Sequence, residues 1–140
     1  MTATTGNTSP IFSRQGQINW GSVLTAANTA TDGTGTVATA FTADATDGSY
    51  IQRLRIKPVG ANVASVMRIF INNGSATTVA ANNFLYGEVS LPATTASNTA
   101  AMVELDYPLN IALPPGFRIT YCIATAVAGG WAAGGIGGSY

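Results

Sequence analysis

With 140 residues, six acidic and six basic side chains, no histidine and one cysteine, the chain is sized for one domain with a buried core. Zero net charge removes the long-range positive field that a nucleic-acid binder uses, and the lack of histidine removes the usual acid–base triads. One cysteine forms no internal disulfide and, without histidine, assembles no zinc or transition-metal cluster, so no cofactor is expected.

Charged residues make up 9% of the chain against roughly 25% in an ordinary soluble domain. Such a neutral surface has little electrostatic reason to stay apart from neighbours. The opening MTATTGNTSP has neither a basic region nor an apolar one, and no apolar run approaches membrane-spanning length. Folding in a reducing cytosol, without membrane insertion, is the expectation.

Residues 1–16, rich in Thr, Ser, Gly and Asn, read as an extended arm with Ile11 and Phe12 as its only anchors. Residues 17–127 alternate short apolar-patterned runs with turn chemistry, which predicts an all-β domain, an antiparallel eight-stranded β-sandwich. Strands are expected over 18–25, 35–42, 49–57, 64–72, 83–91, 99–107, 109–113 and 117–127. Asp32-Gly33, Asp47-Gly48, Val59-Gly60, Asn73-Gly74 and Pro115-Gly116 supply the turns between them.

Period-two alternation assigns faces. In SYIQRLRIKP, Tyr50, Leu54 and Ile56 point inward and Arg53, Arg55 and Lys57 outward; in VMRIFIN, Arg68 and Phe70 lie outward. In NFLYGEVSL the inward set is Leu85, Val89 and Leu91, with Phe84, Tyr86 and Glu88 outside. In AMVELDY, Val103, Leu105 and Tyr107 face inward, and Met102, Glu104 and Asp106 face out. The apolar run from Phe117 is expected at the centre of a sheet. Residues 128–140, AGGWAAGGIGGSY, read as a glycine-rich tail carrying Trp131, because glycine loses much backbone entropy in a strand.

Glu104 and Asp106, about 7 Å apart along one strand face, are the single candidate carboxylate dyad; an outward acidic pair is more often solvated or salt-bridged. The DATDG segment departs from a calcium-loop template and reads as a turn. Trp20, Tyr50, Phe84, Tyr86 and Trp131 are possible platforms for a sugar ring. The outward rows fit a protein interface better: Phe70, Phe84, Tyr86, Met102 and Trp131 among Arg53, Arg55, Lys57, Arg68, Glu88, Glu104 and Asp106 is close to interface composition.

The segment LNIALPPGFRITYCIATAV, Leu109 to Val127, together with YIQRLRIKPVG, VMRIFINNG and the polar amino-terminal arm, resembles small structural proteins of tailed-bacteriophage particles. In fold the chain is similar to the jelly-roll decoration, or cement, proteins of phage heads. The resemblance implies a non-enzymatic virion protein, folded in the host cytoplasm, that forms a homotrimer and binds the major capsid protein at subunit junctions. A receptor- or glycan-binding head of a fibre or spike is the alternative.

Overall fold

A computed structural model describes residues 13–140, so the expected anchors Ile11 and Phe12 lie outside the described residues. Eight strands form two four-stranded antiparallel sheets packed face to face. They are β1 (Gln15–Trp20), β2 (Ala38–Thr42), β3 (Ser49–Pro58), β4 (Ser65–Asn72), β5 (Asn83–Leu91), β6 (Leu105–Leu113), β7 (Arg118–Ile123) and β8 (Trp131–Ser139). The first sheet has the order β1-β8-β3-β6 and the second β2-β7-β4-β5. Alternating side chains from both inner faces make the core, with Phe41, Leu54, Ile56, Ile69, Ile119 and Trp131 withdrawn from solvent.

The expected strand count is met, but with a different set of strands. The expected strands 99–107 and 109–113 meet in one strand; residues 99–104 are not strand, and β6 begins only at Leu105. Its Pro108 sits on a sheet edge, where the missing N–H removes no ladder bond from a central strand. The register against β3 shifts there, and Asn110 takes a φ of 51°.

Residues 128–140 are not a tail, since β8 is hydrogen-bonded between β1 and β3 and Trp131 is fully buried. Glycine is required in β8 by close approach. A Cβ on Gly135 would lie 2.7 Å from the Phe41 side chain, and one on Gly137 would collide with the Tyr50 carbonyl. Two flanking ladders and the buried indole outweigh the entropic penalty that glycine carries. At the other end, Gln15 and Gly16 belong to β1 rather than to an arm.

Bulges account for the faces that simple alternation misassigns. An extra residue in β3 at Gln52 reverses the phase, so Tyr50 turns outward and donates its hydroxyl to Asn110 Oδ1 at 3.0 Å. In β5 the register shift at Tyr86 brings that ring in towards the core, edge-on to Tyr107 at 6.4 Å, and pairs Leu85 with outward Phe70. Val103 precedes β6 and is exposed.

Phe70 keeps its expected outward direction yet is fully buried. Within the connection 21–37, Gly21 and Leu24 still bond to β8, and the part around Asn28 to Asp32 runs over the outer face of the second sheet. Asn28 N–H donates to the Ile123 carbonyl at 2.8 Å, Arg68 Nη1 to the Asn28 carbonyl at 3.5 Å, and Asn83 Nδ2 to the Asp32 carbonyl at 3.1 Å. Alternation along β4 cannot register a covering segment that comes from another part of the chain.

Candidate contact face

The outer face of the first sheet carries its side chains in transverse rows fixed by the register. One row runs Ile18, Ile136, Arg53, Pro108 across β1, β8, β3 and β6; the next runs Trp20, Gly134, Arg55, Asp106. One side of the face is therefore apolar and the other ionic, with a shallow glycine trough between Trp20 and Arg55.

The ionic side is internally paired. Arg55 Nε lies 2.6 Å from Asp106 Oδ1 and its Nη1 3.3 Å from Glu104 Oε2; Lys57 Nζ is 3.7 Å from Glu104 Oε1 and Arg53 Nε is 4.0 Å from Asp106 Oδ1. Lys57 also donates to the Met102 carbonyl at 2.9 Å, which brings that residue to the same corner. The hydrogen bond from Arg55, helped by the charges of Arg55 and Arg53, holds the Asp106 carboxyl below its usual range. An acid kept ionised in this way cannot be the proton donor of a carboxylate dyad, a part that would fall to Glu104.

The remaining candidates do not join this face. Arg68 and Glu88 form their own pair, 3.1 Å apart, on the opposite side of the sandwich. Phe84 is exposed on the β5 edge, Tyr86 turns inward, and Phe70 and Trp131 have no exposed surface to offer. The basic and acidic rows thus meet across β3–β6 and β4–β5 within a single chain.

What sequence reading undervalued is β1. Ile18 is 64% exposed and Trp20 77%, beside an open depression of about 250 Å³ that they line with Asn19. Trp20 is visible as an aromatic in the sequence, but its exposure depends on β8 lying next to it with glycine at the facing position. Gly134 leaves the indole without a neighbouring side chain to pack on.

The DATDG segment is a turn: Asp44 Oδ1 accepts the N–H groups of Thr46 at 2.9 Å and Asp47 at 2.8 Å, which lowers its pKa. Among the described residues no three His, Cys, Asp or Glu side chains are grouped to hold a metal ion. Cys122 is buried under the 21–37 connection, and burial pushes its thiol pKa up.

Compared with known proteins, the chain matches no family model, no curated protein and no solved structure.

Proposed function

We propose that this chain is a structural virion protein, a decoration or cement protein that docks on a capsid at junctions of major capsid subunits and acts by contact rather than catalysis. We read the strand order 1-8-3-6 facing 2-7-4-5 as a jelly roll, in keeping with the resemblance of the sequence to phage decoration proteins. The observation that carries the proposal is the pair Ile18 and Trp20, exposed side by side next to ion pairs that are already satisfied. An exposed indole with an aliphatic neighbour has little use on a solvated face, and tryptophan is among the residues that dominate interface energies.

The test is co-sedimentation with empty phage shells. The chain is expected to pellet with them and Trp20→Asp to remain in the supernatant, while Phe84→Asp, on the other sheet, binds as before. Absence of the wild-type chain from the shell pellet would sink the reading. The glycan-binding alternative keeps one favourable observation, the trough over Gly134 between the Trp20 ring and the Arg55–Asp106 pair. A glycan array on which wild-type binds and Trp20→Ala does not would establish it instead.

A further inference from the structure

We infer that β1 is a self-association edge, pairing antiparallel with β1 of a second copy about a two-fold axis at Ile18. The two first sheets would then run as one, β6-β3-β8-β1 continuing into β1-β8-β3-β6 of the partner. This concerns how copies of the chain meet and does not depend on docking to a capsid.

Sheet edges invite foreign strands, and three of the four edges here carry a device against them. On β2, the Thr42 N–H donates to Asn19 Oδ1 at 3.2 Å and its carbonyl accepts from Gln17 Nε2. On β5 the bulge at Tyr86 breaks the ladder. On β6, Pro108, the left-handed Asn110 and the charge of Asp106 do the same. β1 has no proline, charge, bulge or left-handed residue, and its register with β8 runs unbroken from Gln15 to Trp20.

Backbone direction and side-chain spacing agree with this pairing. Gly21 donates to the Ala133 carbonyl at 3.0 Å, so by alternation residues 17 and 19 bond towards β8 while Gly16, Ile18 and Trp20 direct their polar groups to the free side. The Ile18 carbonyl there meets the Asn19 side-chain amide at 3.1 Å, an exposed bond that a strand N–H can replace. Gly16 and Trp20 stand two residues either side of Ile18. An antiparallel copy centred on Ile18 therefore sets each Trp20 opposite the partner's Gly16, where a Cβ would meet nothing within 4 Å. An aromatic laid across an edge glycine is a stabilising cross-strand pair.

The same axis joins Ile136, Ile18 and their two copies into one apolar strip. β1 carries no charge, and the arginines on this face are compensated within each chain, so the axis opposes no unpaired like charges. Two six-residue strands are short of the roughly 1,200–2,000 Å² of a standard stable interface, so the dimer should be reversible.

The test is sedimentation equilibrium of the full chain over a wide concentration range, with Ile18→Lys and Ile18→Glu. A two-fold axis sets each new charge against itself, so either variant alone should dimerise at least tenfold more weakly. An equimolar mixture, with Lys facing Glu, should recover the dimer. A wild-type chain that stays monomeric or forms a trimer, or a mixture no more associated than its two components, would overturn the inference. Near-ultraviolet circular dichroism from buried Trp131 reports that each variant remains folded.

Discussion

The side-chain oxygen of Asn62 accepts the backbone N–H of Gly130 at 2.7 Å, joining the connection after β3 to the residue that precedes β8. The same oxygen accepts the Gly129 N–H at 3.0 Å, and the amide nitrogen donates to the carbonyls of Gly60 and Gly130 and to Thr94 Oγ1. Asn62 is buried, and its loss strands the Gly130 N–H, whereas the Gly129 N–H keeps the Ala61 carbonyl, the Gly130 carbonyl keeps the Val59 N–H and the Gly60 carbonyl keeps Thr94 Oγ1. Asn62→Ala is expected to destabilise the fold by about 1–3 kcal/mol, read as a lower urea midpoint at unchanged slope. Asn62→Asp keeps both acceptor contacts but loses the amide donations, and its oxygen would face the Gly60 and Gly130 carbonyls. It should therefore fare no better than alanine.

Ending the chain at Gly129 removes β8 and leaves β1 and β3 without their shared neighbour. Such a protein is expected to lose its cooperative thermal transition and its native far-ultraviolet spectrum. Trp131→Ala alone should cost about 3–5 kcal/mol, as for large buried aromatics. A dispensable tail would leave both unchanged.

Gly87 on β5 and Tyr107 on β6 share a space, because a Cβ on Gly87 would collide with the tyrosine hydroxyl. Gly87→Ala is expected to destabilise by about 1–3 kcal/mol through overpacking. Tyr107→Phe removes the colliding oxygen, so the double variant should recover part of that loss. Additive effects in a double-mutant cycle would argue against the shared space.

Acid stability follows from carboxyls held below their ordinary range: Asp32 by hydrogen bonds from Thr34, Asp44 by the N–H groups of Asp47 and Thr46, and Asp106 by Arg55. A depressed folded pKa gives stability that is complete above the unfolded value, near 3.9, and is lost as pH falls through the folded one. Urea midpoints should stay level from neutrality to about pH 5 and drop below about pH 4. Asp44→Asn should flatten that limb. At the alkaline end, burial raises the Tyr121 hydroxyl, which donates to the Ser22 carbonyl at 2.6 Å. Its contribution is present below about pH 10 and is lost as pH rises through the folded value.

The all-β character, the sheet faces of Arg53, Arg55, Lys57 and Arg68, and most strand positions were legible because alternation and Asp-Gly or Asn-Gly turns are local signals. Tyr50 and Tyr86 were misplaced because one inserted residue reverses a face and leaves no mark in the pattern. Phe70 was misread because its cover comes from the distant 21–37 connection. β8 was missed for a related reason. Glycine signals an absence of constraint until Phe41 and Tyr50 are known to press against it. The ion pairs of Arg55 required the knowledge that β3 and β6 are neighbours, which strand order alone supplies.

The central position of β8 also sets the order in which the protein can be made. Ile18 and Ile136 are sheet neighbours separated by nearly the whole described chain, so on the ribosome β1 emerges long before the strand that will hold it. Until then both of its edges are open, next to an exposed indole, in a chain too weakly charged for repulsion to keep nascent copies apart. So non-local a ladder belongs to slow-folding topologies. Synthesis therefore includes a long interval in which premature strand pairing competes with closure of the sheet.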